Sequence, residues 1–179
     1  MARYVAFLRA INVGGHTVKM ADLRHSFEGL GFDSVQTHIS SGNVIFETAA
    51  ADNEALERRI EAALQSDLGY RVDTFVRTAD ELASIVAHHP FDAVAVEASD
   101  SQLFIVFLGA PPAAGLVDRL HASSGGIDAF EIRGRELYWL VSGRYSDSKF
   151  SGTLLEKLLE MPATVRGAPT VRQIAAKLA

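Results

Sequence analysis

Four short polar stretches of this 179-residue sequence hold side chains that could bind a small anion. The stretch 9–15 ends in two consecutive glycines, which can turn backbone N–H groups into a concave anion site. The stretch 40–43 predicts a tight hairpin turn rich in serine, glycine and asparagine. The stretch 145–149 is expected to open a helix, whose free N–H groups attract anions, and 164–166 places an arginine before the last predicted helix. The candidate ligand-binding residues in these stretches are Arg9, Asn12, Gly14, Gly15, Ser41, Gly42, Asn43, Lys149 and Arg166.

Each stretch also has a structural interpretation that needs no ligand. Glycine and asparagine are common in tight turns because they tolerate positive φ. Serine and aspartate cap ordinary helices, and Arg166 would suit an exposed loop. The residues therefore leave two functions open. One is a protein that binds a small anionic or nucleotide-like ligand, with or without turnover, and the other is a non-catalytic interaction or structural module without a small-molecule site.

The common catalytic and cofactor motifs are absent from the sequence. It contains no phosphate-binding Gly-x-x-x-x-Gly-Lys-Ser/Thr loop, no Gly-x-Gly-x-x-Gly and no Gly-x-Ser-x-Gly nucleophile elbow. It has no cysteine, which excludes disulfides, thiolate metal sites and a cysteine nucleophile. His88, His89 and Asp92 could ligate a metal, but a helix C-terminus, where the dipole favours cations, explains the histidines better. We therefore expect no metal and no cofactor, and the sequence identifies no catalytic residue.

The charge balance argues against nucleic-acid binding. Lysine and arginine number 17 and aspartate and glutamate 22, a formal net charge of −5, whereas nucleic-acid-binding proteins usually carry a basic surface. Tyr4, Phe7 and Phe46 lie on predicted strands, yet the third strand lacks the basic and aromatic signature of RNA-binding sheets. Residues 144–179 hold six basic and three acidic side chains, which suits either a small anion or a solvated helical face.

No segment of the sequence suggests export or a membrane. Arg3 and Arg9 interrupt the apolar start, which is too short for the core of a signal peptide. No window approaches about 18 consecutive apolar residues, the length needed to span a bilayer. We therefore expect a cytoplasmic protein without a membrane partner, and the sequence does not indicate an oligomeric state.

Hydrophobic spacing predicts two α+β halves in a chain long enough for one domain or two small ones. In residues 1–77 the pattern predicts strand, helix, strand, strand, helix, strand. This order gives the split βαβ, or ferredoxin-like, sandwich, in which two helices cover one face of four antiparallel strands. The strand from Arg3 should be central and should pair with the last strand, predicted over 71–76.

Residues 78–179 are predicted to form a second ferredoxin-like half. A connecting helix comes first, and from residue 101 the order is strand, helix, strand, strand, helix, helix. Pro162 and Pro169 favour a loop where the last strand of such a half would run, so a helix is expected to replace that strand and the half to end in extra helices. The repeat is architectural, since no residue-level repeat is apparent.

The sequence resembles the "domain of unknown function 1697" family of small bacterial proteins nearly end to end. The family's start, Leu-Arg-Gly-Ile-Asn-Val-Gly-Gly, and its Ser-Gly-Asn-Val hairpin both have counterparts here. The stretches similar to family motifs are residues 8–15, 41–44, 148–149 and 164–166. Ala10 stands where the family has glycine, which puts the need for backbone freedom there in doubt, and Gly167 stands where it has asparagine. The resemblance implies two ferredoxin-like halves and no known activity.

We expect the candidate residues to converge in a polar cleft between the two halves, where a small anionic or nucleotide-like ligand would bind. Lys149 should lie at a helix N-terminus and point toward the loops of the first half. Asn43→Asp should fold normally and lose the ligand, because aspartate supplies only acceptors and adds a negative charge. If the side chains instead bond within their own turns, the structural interpretation gains.

Overall fold

The computed structural model describes residues 1–12, 14–39, 42–49 and 51–179. The chain folds into two compact units, one of Met1–Ala83 with Ile174–Ala179 and the other of Ser84–Gln173. The first elements are β1 (Ala2–Leu8), α1 (Met20–Gly29), β2 (Asp33–Thr37), β3 (Asn43–Thr48), α2 (Asn53–Leu68), β4 (Thr74–Thr78) and α3 (Ala79–Ala87). They are followed by α4 (Ala93–Glu97), β5 (Ser101–Leu108), α5 (Ala114–Ser123), β6 (Asp128–Arg133), β7 (Glu136–Ser142), α6 (Gly152–Leu159), β8 (Ala163–Gly167) and α7 (Ala168–Leu178). Each helix in the described ranges is too short or too polar to cross a membrane.

The first unit contains a four-stranded antiparallel sheet in the order β2-β3-β1-β4. Its central strand is β1, in which Val5 pairs with Ile45 of β3 on one side and with Arg77 of β4 on the other. The predicted strand order and the central position of the first strand are therefore confirmed. The last strand begins at Thr74 rather than at residue 71, which leaves residues 71–73 in the loop that precedes it.

Alternate residues of β1 and one side of each covering helix form the core of this unit. The main contributors are Tyr4, Ala6 and Leu8 of β1, Leu23 and Phe27 of α1, and Leu56, Ile60 and Leu64 of α2. Asp52 begins α2, because its carboxylate accepts the N–H of Ala55 at 3.0 Å. Gly69 ends α2 with a left-handed φ of 81°. The turn at Gly69 leads the chain directly into the loop before β4.

Glutamate side chains complete the hydrogen bonding along the outer edge of β4. Three backbone N–H groups donate to carboxylate oxygens: Thr74 to Glu61 at 3.0 Å, Val76 to Glu57 at 2.8 Å and Thr78 to Glu81 at 2.8 Å. Glu57 and Glu61 lie one turn apart on α2, so a single helix face supplies two of these acceptors. In the second unit the N–H of Ala163 on β8 donates in the same way to Glu156 of α6, at 2.9 Å.

The second unit repeats the arrangement, with a four-stranded antiparallel sheet in the order β6-β7-β5-β8. The expectation that a helix replaces its last strand is wrong, because Ala163–Gly167 forms β8 and pairs antiparallel with the central strand β5. Pro162 and Pro169 lie just outside β8, where neither has to donate to the sheet. The second half is therefore a complete sheet followed by α7.

Candidate functional site

Two arginines meet one aspartate where β1 ends and β4 begins. The antiparallel register places Leu8 opposite Thr74, so the residues after Leu8 lie beside those before Thr74. The N–H of Arg9 donates to the carbonyl oxygen of Asp73 at 2.9 Å, and Arg9 Nη1 lies 3.8 Å from Asp73 Oδ2. Arg71 approaches the other carboxylate oxygen, with Nη2 2.7 Å and Nε 2.9 Å from Asp73 Oδ1. The three groups together carry one excess positive charge.

Arg71 and Asp73 were missed by the sequence analysis, which assigned them to a strand. The available signal was the predicted antiparallel pairing of the first and last strands. In such a pair the residues after one strand meet the residues before its partner, so Arg9 predicts a neighbour near residue 73. The spacing of residues along the chain gives no such hint.

Tyr70 and His16 hold the loop that follows Arg9. The Tyr70 hydroxyl donates to the carbonyl oxygen of Ile11 at 3.2 Å, and burial raises the pKa of that hydroxyl above its usual value. The His16 ring stacks on the Tyr70 ring, with 3.9 Å between centroids and 25° between planes. Gly14 and Gly15 are exposed and left-handed, with φ of 64° and 84°. Gly14 and Gly15 therefore present exposed backbone in this loop, with nothing within 4 Å of an added Cβ at either position.

The side chain of Asn12 serves the same loop. Its Oδ1 accepts the backbone N–H of Val18 at 2.9 Å, which closes the turn ahead of α1. This is the local bond that the structural interpretation of the stretch requires.

Ala10, which stands where the family pattern has glycine, has a backbone conformation that favours glycine. Its φ is 53°, in the left-handed region, where an L-residue other than glycine is strained by about 1–2 kcal/mol. The sequence left in doubt whether position 10 needs the backbone freedom of glycine. The structure shows that it does, because the backbone is left-handed there even with alanine present.

We expect Ala10→Gly to stabilise the protein by about 0.5–1 kcal/mol. Glycine removes the left-handed strain, and its greater freedom in the unfolded chain offsets part of the gain. The free energy of unfolding in urea measures the effect. The same change at Ala2, in β1 with ordinary extended backbone, should destabilise instead. A loss of stability in Ala10→Gly would mean that the alanine side chain stabilises the loop.

The connection between β2 and β3 packs against the end of β1. It lies between Thr37 and Asn43, and residues 40 and 41 of the predicted hairpin turn, Ser41 among them, lie outside the described residues. Gly42 has a φ of 80°, as expected of a turn glycine, and its carbonyl oxygen accepts the N–H of Leu8 at 2.8 Å. Two of the four predicted stretches, 9–15 and 40–43, are thus brought together in the first unit.

Asn43 is fully buried at the end of this connection. Its Nδ2 donates to the carbonyl oxygen of His38 at 2.9 Å, and its own carbonyl oxygen accepts the N–H of His38 at 2.9 Å. The amide group of the Asn43 side chain therefore joins the two ends of the connection between β2 and β3. Because Asn43 is buried and the turn uses its side-chain amide as a donor, the result expected for Asn43→Asp differs from the normal folding predicted from the sequence.

We now expect Asn43→Asp to lower the free energy of unfolding by roughly 2–3 kcal/mol at neutral pH. The carboxylate cannot donate to the His38 carbonyl oxygen and is buried beside it. Asn12→Asp is the matched control, because Asn12 is exposed and aspartate retains the oxygen that accepts the N–H of Val18. Equal stability of the two variants in a urea titration would contradict this role for the Asn43 amide.

Lys149 precedes a helix rather than lying at its first turn. A short 3-10 turn, Tyr145–Asp147, occupies the stretch that was expected to open the helix. The helix α6 begins at Gly152, with the Ser151 hydroxyl accepting the N–H of Leu154 at 3.2 Å. Lys149 is exposed. The sequence placed the helix start too early because Ser148 also resembles an N-cap, but its hydroxyl donates to Asp128 Oδ1 at 2.6 Å.

Arg166 is a buried sheet residue rather than an exposed loop arginine. On β8 its Nη1 donates to the Thr164 hydroxyl at 2.6 Å and to the Val165 carbonyl oxygen at 2.9 Å. Burial lowers the pKa of its guanidinium to about 10, so Arg166 stays charged at neutral pH.

Arg77 is the counterpart of Arg166 on the last strand of the first unit. It is buried, and its Nη1 donates to the preceding carbonyl oxygen, of Val76, at 2.8 Å. Both arginines lie one residue before the end of their strand, within the similar sequences 76–79 and 165–168. This residue-level repeat, in which three of four residues are identical, was missed in the sequence because it is so short.

Two of the three residues considered for a metal, His88 and Asp92, have other partners. His88 Nε2 lies 2.9 Å from Glu131 Oε1, and Asp92 Oδ1 accepts the N–H of Val94 at 2.8 Å at the start of α4. In the part of the chain that the structure describes, no three side chains of the metal-ligating types are grouped to hold an ion.

Comparison with known proteins identifies relatives but no activity. The model of a family described as "Protein of unknown function (DUF1697)" matches residues 1–138. The solved structure of a conserved bacterial protein from Streptococcus pneumoniae is similar over 99% of both chains, with a TM-score of 0.76 and 23% sequence identity. No curated protein matches significantly. The structural likeness supports the fold of the whole chain and assigns no role to any residue.

Proposed function

The chain belongs to this family of proteins of unknown function, and we propose that its first unit binds a small anionic ligand, such as a phosphate or a nucleotide, at the loop after β1. The observation that supports this best is the pair of arginines, Arg9 and Arg71, on the single carboxylate of Asp73. An anion would balance the excess positive charge of these three groups.

The exposure and chemistry of the two arginines suit such a ligand. The side chain of Arg9 is 38% exposed and that of Arg71 is 71% exposed, so a solute can reach both. A guanidinium group presents a planar fork of donors that matches phosphate and carboxylate oxygens. The exposed His16, stacked on Tyr70, offers an aromatic surface for a nucleotide base.

Calorimetric titration with pyrophosphate and with AMP tests the proposal. Arg71→Gln is expected to weaken pyrophosphate binding at least about tenfold, because a hydrogen bond to a charged group contributes about 1.5–3 kcal/mol. Arg58→Gln is the matched control, since Arg58 is an exposed arginine of the same unit whose partner is Glu54 of the same helix. Tighter binding of AMP than of pyrophosphate would favour a nucleotide-like ligand.

Two outcomes would contradict the proposal. One is a parent protein that binds neither probe at millimolar concentration, and the other is an Arg71→Gln variant that binds pyrophosphate as tightly as the parent. Lys149 and Arg166 belong to the second unit. Their part in ligand binding, and a cleft that would include them, stay predictions from the sequence.

A non-catalytic interaction or structural module is the second candidate function. The observation that favours it is that Asn12 and Asn43 each bond within their own turn. A ligand present at 100 times its dissociation constant adds about 2.7 kcal/mol of stability, so a thermal-shift screen of phosphates, nucleotides and dicarboxylates separates the two functions. No shift with any of them supports the module.

A further inference from the structure

A groove in the second unit is lined by none of the candidate ligand-binding residues in the described ranges. One cavity of about 560 Å³ is lined by Phe91, Val96, Leu103 and Arg172, among others. A neighbouring hollow of about 350 Å³ shares the last three of these residues and continues along β5 to the first turn of α7. We call the two together the α4 groove. Its size is that of an ordinary small-molecule site.

The walls of the α4 groove are mainly apolar. Phe91, Val96 and Leu103 are each only half-buried, so apolar surface remains open to a ligand. Asp92 fixes this wall, because its carboxylate caps α4 and thereby holds Val96 over the start of β5. Contact with an apolar molecule would remove this surface from water, which is favourable in proportion to the area covered.

Arg172 is the polar group shared by both parts of the α4 groove. It is exposed on α7, and within the described ranges its guanidinium has no hydrogen-bond or ion-pair partner. The Thr170 hydroxyl lines the same end of the groove. Glu97 and His89 line only the first cavity, toward α4. A negative group is therefore favoured beside Arg172 in the second cavity, which Glu97 does not line.

We propose that the α4 groove binds a small hydrophobic carboxylate. The apolar body of the ligand lies on Phe91, Val96 and Leu103, and its carboxylate accepts hydrogen bonds from the Arg172 guanidinium. This site is separate from the anion site proposed after β1, because its selectivity depends on an apolar body that pyrophosphate lacks.

The test is a titration of the labelled protein, followed by amide NMR, with 4-phenylbutyrate, with the neutral 4-phenylbutyramide and with acetate. We expect the acid to bind at least about tenfold more tightly than the amide, since only the acid pairs with Arg172. Acetate should bind much more weakly than the acid, because it lacks the apolar body. The shifted amides should include those of Val96, Leu103 and Thr170.

Two variants identify the groups responsible. Arg172→Gln should remove the preference for the acid over the amide, whereas Lys149→Gln, at an exposed cation outside the α4 groove, should keep it. Val96→Asn should weaken acid and amide alike. Equal binding of acid and amide by the parent, no binding of the acid at millimolar concentration, or unchanged acid binding in Arg172→Gln would overturn the proposal. Arg71→Gln should not affect phenylbutyrate, so this site and the pyrophosphate site succeed or fail independently.

Discussion

Replacing Arg77 with methionine is expected to lower the free energy of unfolding by about 4 kcal/mol, the typical effect of removing one partner of a buried ion pair. The Arg77 side chain is 1% exposed, and its Nη1 lies 3.8 Å from the 11% exposed carboxylate of Glu57. Methionine fills the space of the aliphatic part of the arginine side chain, so much of the loss comes from a buried carboxylate left without the Arg77 cation. Urea denaturation of the full chain measures it.

A double-mutant cycle separates charge from packing in this result. Glu57→Gln keeps an oxygen to accept the N–H of Val76, so the Arg77→Met/Glu57→Gln variant should regain much of the lost stability. Arg58→Met is the exposed control and should leave stability almost unchanged, because its partner Glu54 is equally exposed. A double variant no more stable than Arg77→Met alone would show that packing, not charge, dominates.

Gly42→Ala is expected to destabilise the protein by about 3 kcal/mol. A Cβ on Gly42 would lie 2.9 Å from Ile11 Cγ2 and 3.1 Å from Leu8 Cβ. Both neighbours belong to the core, so neither can move aside without disturbing it. The left-handed φ of 80° adds a conformational cost to this overpacking. Chemical denaturation gives the total.

Gly69→Ala measures the conformational part of this effect. Gly69 has nearly the same φ, 81°, but nothing lies within 4 Å of an added Cβ, so only the conformational cost of about 1 kcal/mol applies. The difference between the two variants measures contact with Leu8 and Ile11. If both variants lose the same stability, the connection at Gly42 can shift to relieve the contacts with Leu8 and Ile11.

The architecture of the first unit was predictable because element order and short crossovers leave few alternatives. The first strand is apolar and is followed by two amphipathic helices around a pair of strands. This order makes β1 the central strand. The strand β8 escaped prediction because it is short, lies between two prolines and carries a buried arginine. Arginine usually lies at the surface, so residue type alone favours a loop at Arg166.

The candidate site was predictable in part, since two of its stretches do meet in the first unit. Residue type could not separate a ligand-binding asparagine from a turn asparagine, because the same amide serves both. Only the burial of Asn43 and its bond to His38 favour the turn. The ion pair between Arg9 and Asp73 joins residues 64 positions apart in the chain, which only the strand register brings together.

The glutamates that bond to the outer edge of β4 also bear on whether two copies of the chain can join by strand addition in concentrated solution. An edge strand with open N–H groups is a template for intermolecular strand addition and aggregation. At Thr74, Val76 and Thr78 an incoming strand would first have to displace carboxylate acceptors. On the opposite edge, β2 has a register shift and a left-handed Ser34, which interrupt regular pairing. Both edges of the sheet in the first unit thus have features that oppose strand addition by another copy of the chain.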